Sequence, residues 1–568
     1  MKRLAILLFM FLLAACGSGT ASPAPDAVET AAEGGPEPTT EPTDEPTPAP
    51  TPAPARMKLV VTGPEETVFD WSEVHCETWN LPDAATHAFR DADGMVQLII
   101  PHFVNYRMIG PDLNNLQMDC SAPIMVSNLD PDPAQFDDAE WINAVYTDDG
   151  QTIYAMLHNE YRGHLHPGQC PSGDYLTCLD ASMTMGISTD GGKTYRNIAD
   201  PPNHLIATLP VLYNNEGRPT GVRGAAVIKA PDGYYYLYTN ISDYGGTPDA
   251  PESHRLCVMR TDNIADPTSW RYWDSTGFTG KWTNPYIDGA DPTAAPCVRL
   301  DPVDLPDALQ GIVYDEALGK YIAVGIAAHP TTTPDRLMWG VYYSFSDDLI
   351  DWSRRRLLYQ IPIRASVANP DVDLHYAYPS LLDPDSQSRV FSTADDAFYL
   401  YLTRANMGDQ ADRDLIRVPV QLVPEAYDPP AWNFDTDDEL EGWYLENGLA
   451  NASVAGGVLA ATTSGQDPYL WSPGFELVAA DDHTVSISMS VAGGGQTSGQ
   501  VFFLTDTDAR VDEAKTVHFD MQMDGAMHTY NVDMSANPAW TGLITQIRLD
   551  PGEVSDRSLE IDSIVIGP

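Results

Sequence analysis

Short apolar segments that alternate with polar residues recur along most of the chain. Trp141 to Tyr146 and Thr152 to Leu157 are two such segments, and the turn Asp148-Asp149-Gly150 separates them. Alternation around an Asp-Gly turn is typical of a β-hairpin. Similar segments, bounded by Gly, Asp and Pro, continue from about Val60 to Leu422 without a sustained helical period. The pattern predicts an all-β sandwich, barrel or propeller.

A repeated turn motif favours the propeller. Its three copies contain Asp190, Asp262 and Asp347. Each copy comes after a hydrophobic strand, and an aromatic residue follows it. The intervals of 72 and 85 residues indicate an irregular repeat. Because the Asp caps the turn and the aromatic ring packs between sheets, we interpret these residues as structural and not as catalytic.

The spacing of the predicted strands indicates five blades within residues 57–428. Their innermost strands are expected to begin near Thr86, Trp141, Ala225, Gly311 and Tyr376. A sixth blade, built from Leu59 to Trp71 together with Leu415 to Leu422, is the alternative.

The sequence pattern changes after Pro429-Pro430. Residues 429–568 contain further alternating segments and predict a separate β-sandwich. Four aromatic residues there are candidates for stacking on sugar rings, with core packing as the alternative: Trp443, Tyr469, Trp471 and Trp540. Asp435 and Asp562, near the two ends of this region, are candidates for a shared structural calcium.

The first 16 residues have the order of a secretory signal: basic Lys2-Arg3, an apolar run from Leu4 to Ala15, and Cys16. The run is too short to span a bilayer as a helix. Leu13-Ala14-Ala15-Cys16 resembles the lipobox of bacterial lipoproteins, which implies cleavage before Cys16 and lipidation of its thiol. An ordinary secretory signal is the alternative.

Residues 17–56 are rich in Pro, Thr and Glu and carry almost no large apolar side chains, so they predict a disordered tether. We therefore expect an exported protein that is lipid-anchored through Cys16 on the outer face of a bacterial membrane, at the cell surface or in the periplasm.

The formal net charge is −50, from 31 basic and 81 acidic residues. Phosphate binding needs clustered cations, so this composition excludes nucleic acid as a partner. We expect a monomer that requires no cofactor. Six cysteines follow Cys16, and an even number in an exported chain predicts three disulfides, with fifteen pairings open. Closeness in sequence favours Cys170 with Cys178 and Cys257 with Cys297, which leaves Cys76 for Cys120.

Two turns carry a resemblance to known propellers. Ser188 to Tyr195 (STDGGKTY) resembles the Asp box of sialidases, and the copy at Ser346 is similar to the outer-strand turn of five-bladed glycoside hydrolases akin to families 43 and 32. Residues 429–568 resemble the galactose-binding-like jelly rolls that are appended to polysaccharide-degrading enzymes. The resemblance implies a five-bladed propeller followed by a carbohydrate-binding sandwich, and activity on a polysaccharide or oligosaccharide.

Glycoside hydrolysis needs two carboxyl groups across the scissile bond. The resembling families place an Asp at the start of blade one, an Asp in blade two and a Glu in blade three. Asp83 fits the first place, and Glu140 or Asp138 fits the second, but Thr220 to Gly224 leads into blade three without a carboxylate. We predict Asp83 as the base or nucleophile, Glu160 as the proton donor, and Glu140 as the group that sets their pKa values.

Other polar residues near strand ends are predicted to bind substrate, with a structural role as the alternative for each. They are His87, Arg90, His102, Arg107, His158, Asn159, Arg223, Tyr378 and Arg404. For Arg107 an internal ion pair is the stronger interpretation. Asp304, Asp307 and Asp373 also precede predicted innermost strands.

Two other functions are open. A sialidase would use Arg90, Arg223 and Arg404 on the substrate carboxylate together with Tyr378, although the sialidase Arg-Ile-Pro opening is absent. A non-catalytic, glycan-binding surface lipoprotein would use the same shape, aromatics and tether. Two carboxyls ~5 to 10 Å apart in the central funnel would favour a hydrolase.

Overall fold

The computed structural model describes residues 56–568, apart from 216–219, 243–253, 293, 295–296, 301–304, 307, 331–336, 354, 363–373, 407–410, 426–428, 466, 494–497, 506–507, 509 and 553–555. The chain divides into two units, residues 1–54 and 55–568. The predicted signal, Cys16 and the tether lie outside the described residues, as do Asp304, Asp307 and Asp373. Within the described part of the chain, no helix is long and apolar enough to cross a membrane.

The chain enters through two strands and one helical turn and then forms the first antiparallel meander, which we call blade 1. These elements are β1 (Arg56–Val61), β2 (Glu66–Phe69), α1 (Trp71–Val74), β3 (Ala88–Arg90), β4 (Val96–Ile100), β5 (Val104–Gly110), β6 (Gln117–Met118) and β7 (Met125–Val126). In blade 1 the strand order is β3-β4-β5-β6, and β7 also pairs with β5.

Blades 2 and 3 are two further meanders, joined by a short parallel contact between β10 and β13. Blade 2 contains β8 (Ala139–Tyr146), β9 (Ile153–Arg162), β10 (Leu179–Ser188), β11 (Arg196–Asn197) and β12 (Leu205–Ala207). Blade 3 contains β13 (Thr220–Lys229), β14 (Tyr235–Ser242), β15 (His254–Thr261), β16 (Arg271–Trp273) and β17 (Phe278–Gly280).

Blades 4 and 5 complete the series. Blade 4 contains β18 (Ala308–Asp315), β19 (Lys320–Pro330), β20 (Leu337–Ser346) and β21 (Arg356–Gln360), and blade 5 contains β22 (Leu374–Leu382), β24 (Ala397–Asn406) and β25 (Arg413–Glu425). The short β23 (Thr393–Ala394) pairs with β18. Single turns of 3₁₀ helix lie at Pro133–Gln135, Gly163–Leu165, Leu176–Cys178 and Pro267–Ser269.

Each blade shares an apolar core with the next, and blade 5 shares one with blade 1. One residue from each of the two blades illustrates each core: Phe89 and Ile142 between blades 1 and 2, Met183 and Val222 between blades 2 and 3, Tyr238 and Ile312 between blades 3 and 4, Ile322 and Leu400 between blades 4 and 5, and Leu382 and Leu98 between blades 5 and 1. The sheets therefore pack face to face in a closed ring, which is a β-propeller. Each predicted innermost strand lies in, or directly before, the first strand of one blade.

The ring is closed by strands from both ends of the propeller region. β1 and β2 pair with β25 and form the outer edge of blade 5. The alternative of a sixth blade from these same segments is therefore wrong. Closure by pairing also covers the backbone groups that an edge strand would leave exposed.

The first copy of the repeated turn has the structural role that the sequence predicts. In this turn, the Oδ1 atom of Asp190 accepts hydrogen bonds from the backbone N–H groups of Lys193 and Thr194, at 3.1 and 3.0 Å. Tyr195 is buried in the core between blades 1 and 2.

In the third copy the prediction for Asp347 is wrong. The adjacent Asp348 accepts hydrogen bonds from the backbone N–H groups of Ile350 and Asp351, and Asp347 pairs with Lys320.

The turn of the blade 2 hairpin needs glycine at position 150. Gly150 has φ +73°, and a Cβ atom there would lie 2.5 Å from the backbone of Asp91.

The disulfide predictions are confirmed. The bonded pairs are Cys76–Cys120, Cys170–Cys178 and Cys257–Cys297. The first fastens the segment after α1 to the end of blade 1, and the third fastens β15 to the chain after blade 3.

Residues from Ala431 onward form a β-sandwich. One sheet contains β26 (Ala431–Trp432), β28 (Leu449–Ala455), β29 (Val458–Thr463), β32 (Thr484–Ala492), β35 (His528–Asp533) and β37 (Ser558–Gly567); the other contains β27 (Tyr444–Glu446), β30 (Tyr469–Trp471), β31 (Leu477–Val478), β33 (Ser498–Thr505), β34 (Thr516–Asp520) and β36 (Leu543–Asp550). Two 3₁₀ turns lie at Glu513–Lys515 and Met534–Ala536. Apolar residues of both sheets share one core, and the predicted all-β fold of a propeller followed by a sandwich is confirmed.

The aromatic residues of the sandwich are mostly buried. Trp443 and Trp540, 2 % and 5 % exposed, belong to the core between the sheets, and Trp471 is 8 % exposed. Core packing is thus the right interpretation for Trp443 and Trp540. Trp471 is buried outside that core, with its ring 5.9 Å from the guanidinium of Arg548. The half-buried Tyr469 ring lies 4.3 Å from the guanidinium of Arg548.

Asp435 and Asp562 are both exposed. Among the described residues, the group of three potential metal ligands found in the structure lies in blade 2, far along the chain from either aspartate. A structural calcium shared by Asp435 and Asp562 stays a prediction.

Candidate active site

Asp83, the predicted base or nucleophile, lies before β3 and is held by blade 5. Its Oδ1 atom accepts hydrogen bonds from the Tyr378 hydroxyl (3.1 Å) and from the Arg413 guanidinium. Its Oδ2 atom is 3.8 Å from Nε2 of His102. Tyr378 has φ +58° at a β-bulge in β22, a backbone conformation that bulky residues rarely adopt and that is found at functional sites.

His102 is at the centre of an aromatic cluster beside Asp83. Its ring lies parallel to the Trp79 ring at 5.6 Å and meets the Phe103 and Trp141 rings at 4.3 and 5.7 Å. Burial lowers the pKa of His102 to about 4 although the Asp83 charge opposes the shift. His102 is therefore neutral at pH 7, while Trp79, 47 % exposed, offers a flat apolar surface to solvent.

His102 makes the fold sensitive to mild acid. The pKa of His102 in the folded protein is about 4, below the ordinary value of 6.5. Between these two pH values the unfolded chain binds a proton at His102 more readily than the folded protein does, so the unfolding free energy falls as the pH drops from 6.5 toward 4. We expect the unfolding free energy to drop over that range by about 3 kcal/mol from this residue. Denaturant titrations of wild type and His102→Gln at several pH values measure it; an equally steep drop in the variant would contradict the assignment.

Glu160, the predicted proton donor, lies near the end of β9. Its carboxylate is 3.1 Å from Nε2 of His158, 2.9 Å from the Tyr175 hydroxyl, and 3.3 and 3.4 Å from two nitrogens of Arg162. Burial raises the pKa of Glu160, but the His158 hydrogen bond and the charges of His158, Arg162 and Arg223 outweigh burial and lower it to about 2. In the free protein Glu160 is therefore an ionised carboxylate.

The surroundings of Asp83 and Glu160 form one continuous patch. The Arg162 guanidinium lies over the Trp141 ring at 4.8 Å and over the Phe103 ring at 5.1 Å. The charges of both Asp83 and Glu160 act on His102. Asp83 and Glu160, from blades 1 and 2, thus both lie close enough to the aromatic cluster for their charges to act on His102.

Glu140 does not belong to this patch. In the antiparallel register it pairs with Asn159, whereas Trp141 pairs with His158 and Ala139 with Glu160. Because alternate side chains of a strand point to opposite faces, Glu140 projects from the other face of the blade 2 sheet. It is fully buried, and burial raises its pKa to about 8. The predicted role of tuning the other two carboxyls is therefore not supported by its position.

Three of the predicted substrate-binding arginines have internal partners. The pairs, with the distance between the joined N and O atoms, are Arg90 with the Ser388 carbonyl (2.7 Å), Arg107 with Asp119 (2.9 Å) and Arg404 with Asp414 (2.9 Å). For Arg107 this is the ion pair that the sequence favoured. Two of the three arginines of the sialidase alternative, Arg90 and Arg404, thus already have partners within the protein.

The other predicted residues divide between the site and the core. Asn159 is buried; its Oδ1 atom accepts from the Asp138 backbone and its amide donates to Ser182, at 3.0 and 2.9 Å. His87 is packed inside, and burial lowers its pKa to about 4. Arg223 is half-buried, and its charge acts on Glu160.

Sequence reasoning missed Arg162, Tyr175, Arg413 and Trp79. A signal for Arg162 was present, because residues 158, 160 and 162 of one strand share a face. Tyr175 and Arg413 come from a loop and from another blade, and no local pattern marks them. Trp79 lies in an irregular segment next to a disulfide, where strand periodicity gives no information.

Together the fold and the site define a β-propeller with a carboxylate pair beside exposed aromatic surface, followed by a β-sandwich. The sequence matches no family model and no curated protein sequence. Among solved structures, the chain is similar to a glycoside hydrolase family 43 arabinoxylan arabinofuranohydrolase from Bacillus subtilis in complex with cellotetraose. The sequence identity is 10 %, the alignment covers 88 % of this chain and 99 % of that chain, and the TM-score is 0.32.

Two other similarities cover parts of the chain. An α-L-arabinanase from Cellvibrio cellulosa, complexed with arabinohexaose, aligns with 61 % of this chain and 93 % of its own (10 % identity, TM-score 0.31). A structure described as CBM4 aligns with 24 % of this chain and 96 % of its own (13 % identity, TM-score 0.19). At these scores the likeness says nothing about activity, and the propeller and sandwich are defined by the strand order and cores of this chain itself.

Proposed function

We propose that the protein is a cell-surface glycoside hydrolase that acts on a polysaccharide or oligosaccharide. The observation that carries this proposal is the placement of Asp83 and Glu160, from two blades, around His102 and the exposed ring of Trp79. Glycosidases need two carboxyl groups on either side of the scissile bond, and an exposed aromatic ring is a suitable platform for the apolar face of a sugar.

Asp83 is assigned as the base or nucleophile. Arg413 and the Tyr378 hydroxyl both bind one oxygen of its carboxylate, which fixes its orientation. The other oxygen lies beside neutral His102. An oriented carboxylate of this kind can take a proton from a water molecule or attack a sugar carbon directly.

Glu160 is assigned as the proton donor of the complex with substrate, not of the free protein. A pKa of about 2 leaves the free carboxylate unprotonated at pH 7. The Arg162 contacts that contribute to this are long, at 3.3 and 3.4 Å. A sugar that moves Arg162 or Tyr175 and excludes water would raise the pKa of Glu160, because it would remove stabilising partners and add desolvation.

The low pKa of Glu160 also favours a second function, that of a non-catalytic glycan-binding protein. An ionised carboxylate that is already surrounded by His158, Arg162 and Tyr175 can accept hydrogen bonds from sugar hydroxyls without any proton transfer. Such a protein would capture a glycan and leave it intact.

A glycan panel separates the two functions. The purified chain is tested against polysaccharides and oligosaccharides for binding, by calorimetry, and for released sugars, by chromatography. Release of sugar supports the hydrolase. Binding without release supports the glycan-binding protein, and no interaction with any glycan contradicts both.

Trp79→Ala tests the aromatic platform for either function. We expect affinity for the glycan found in the panel to fall by about fivefold, since stacking on an aromatic ring contributes about 1 kcal/mol. Because the Trp79 ring is 47 % exposed, thermal stability should change little. Trp443→Ala, in the core of the sandwich, is the contrasting variant, with lower stability expected. Unchanged affinity in Trp79→Ala would remove this ring from the site.

The tether and anchor complete the proposal. Lipidation of Cys16 would anchor the chain to the outer face of a bacterial membrane through the Pro-, Thr- and Glu-rich residues that follow it. Replacing Cys16 with Ser in the producing cell should release the chain from the membrane fraction, which immunoblotting of the fractions measures. Retention of this variant in the membrane would contradict the anchor.

A further inference from the structure

A second cluster of chemically active side chains lies inside blade 2, on the face of the sheet opposite Glu160. It consists of Asp137, Glu140 and His204, which are 6 %, 0 % and 0 % exposed. One ligand atom from each of the three lies within 4.8 Å of the others. The three come from the loop before β8, from β8 itself and from the segment before β12.

The carboxylate of Asp137 is oriented by two amides. Asn128 donates to both of its oxygens and Asn197 donates to Oδ1, all at 2.9 Å. Neutral amide donors of this kind orient a carboxylate without neutralising its charge.

The other two members are oriented as well. The Thr184 hydroxyl donates to Oε1 of Glu140 at 2.6 Å, and Nε2 of His204 is 3.2 Å from the Phe136 carbonyl oxygen. The same nitrogen lies 3.8 Å from Oε1 of Glu140. All three potential ligands are thus held in place by neighbouring polar groups.

The cluster contains buried polar atoms without partners. Among the described residues, Oε2 of Glu140 and Nδ1 of His204 have no hydrogen-bond partner, and both side chains are fully buried. A buried polar atom without a partner destabilises the folded state, because it has lost its hydrogen bonds to water. A ligand within the cluster would remove that destabilisation for Glu140.

The carboxyl groups of the cluster also have no basic side chain beside them. In the described part of the chain, the ion pair recorded for Glu140 is the long one with His204, and no Lys or Arg pairs with Asp137 or Glu140. Asp138 adds a third carboxyl group nearby. A bound cation would give these buried groups the partner that the protein does not supply.

We propose that Asp137, Glu140 and His204 form a binding site for one divalent transition-metal ion of the Zn²⁺ or Mn²⁺ type. One imidazole nitrogen with two carboxylate oxygens is a donor set that such ions accept, whereas Ca²⁺ prefers oxygen ligands alone. Tetrahedral zinc, with ligand distances of about 2.1 Å, draws the three atoms closer together than they lie here.

The ion has a structural role. It joins the loop that contains Asp137 to β8 and to the segment before β12. The next residue, Asp138, accepts hydrogen bonds from the Arg162 backbone (2.7 Å) and from His166 (2.8 Å). The ion therefore stabilises the end of β9 that carries Glu160 and Arg162, and it does so from the opposite face of the blade 2 sheet. This inference does not depend on the proposed activity.

The test uses the full chain, freed of metal by a chelator and titrated separately with ZnCl₂, MnCl₂ and CaCl₂. We expect one ion per chain, at least about tenfold tighter binding of Zn²⁺ or Mn²⁺ than of Ca²⁺, and a higher melting temperature with the bound ion. Glu140→Gln and His204→Gln should each weaken binding by at least about tenfold, since even the loss of an outer-shell partner costs that much.

His528→Gln is the matched control. His528 and Asp524 form an exposed pair at 2.9 Å in the sandwich, which is a surface site for adventitious zinc. Tight binding should persist in this variant. Binding that is lost there, or that survives in both cluster variants, overturns the proposal, as does a wild-type chain that binds none of the ions.

A measurement on the wild type covers the case in which the cluster variants fail to fold. X-ray absorption at the zinc edge of the loaded protein should show a shell of oxygen and nitrogen ligands with a single imidazole. Several imidazoles or a sulfur ligand would overturn the assignment.

Discussion

Replacing Asp83 with Asn is expected to lower turnover by about 100- to 10,000-fold, the contribution that a positioned acid–base group usually makes. Asn has the same shape but cannot take up a proton or attack as a carboxylate. The substrate is the oligosaccharide identified by the glycan panel, and the rate of sugar release is measured under saturating conditions. A larger fall in kcat than in affinity is expected, because the lost interaction belongs to the transition state.

Asp119→Asn is the matched control for this prediction. Asp119 and Asp83 are equally exposed (18 %), both belong to the blade 1 region, and each pairs with an arginine. Asp119, however, binds Arg107, which also donates to Gln97 and to the Gly192 carbonyl. We expect the control to retain turnover. A similar loss in both variants would mean that Asp83 acts through stability alone, which denaturant titration would also reveal.

A third outcome separates a base from a nucleophile. In Asp83→Asn, azide should displace the leaving group in one step and form a glycosyl azide with inverted configuration. If Asp83 is a base that activates water, the wild-type product is inverted too, and the two products have the same configuration. If Asp83 is the nucleophile, the wild-type product retains the configuration of the substrate, and the two products have opposite configurations. The anomeric configuration of both products, followed by NMR, decides between them.

The strands of the propeller could be predicted from sequence because alternation and Asp-Gly turns are local signals. The hairpin from Trp141 to Leu157, the Asp190 turn and the three disulfides are all where the sequence places them. Ring closure could not be predicted with the same certainty, since the pairing of β1 with β25 joins residues more than 350 positions apart.

The candidate site was only partly predictable, and the reason is register. Glu140 and Glu160 both lie near strand ends, but a side-chain period of two sends them to opposite faces of one sheet. Sequence proximity therefore placed in one site two carboxyl groups that lie on opposite faces of the sheet. Tyr378 and Arg413, which bind Asp83, lie 295 and 330 residues away from it in the sequence, and only the folded structure shows that they meet it.

The electrostatic state of Glu160 is the finding that sequence could least provide. A glutamate after an apolar strand suggests a buried carboxyl with a raised pKa, the usual state of a proton donor. The cationic partners His158, Arg162 and Arg223 reverse that expectation. The sign of the shift depends on side chains from two blades, and local sequence contains no information about their convergence.

Glu160→Gln is expected to abolish sugar release, with a loss of at least about 100-fold, while glycan binding and folding persist. Gln keeps the shape and can still bond to His158 or Tyr175, but it cannot donate a carboxyl proton. Glu65→Gln is the matched control, because Glu65 also accepts from tyrosine hydroxyls (Tyr359 and Tyr376) and pairs with an arginine, Arg404.

Unfolding measurements distinguish this chemical role from a structural one. The pKa of Glu160 is lowered from 4.5 to about 2 in the folded protein, so the ionised form stabilises the fold above about pH 4.5, and this contribution is lost as the pH falls toward 2. The stability difference between wild type and Glu160→Gln should therefore shrink over that range. Unchanged sugar release in Glu160→Gln would remove the residue from the mechanism, whereas a wild type that binds glycan without releasing sugar would make Glu160 a binding group.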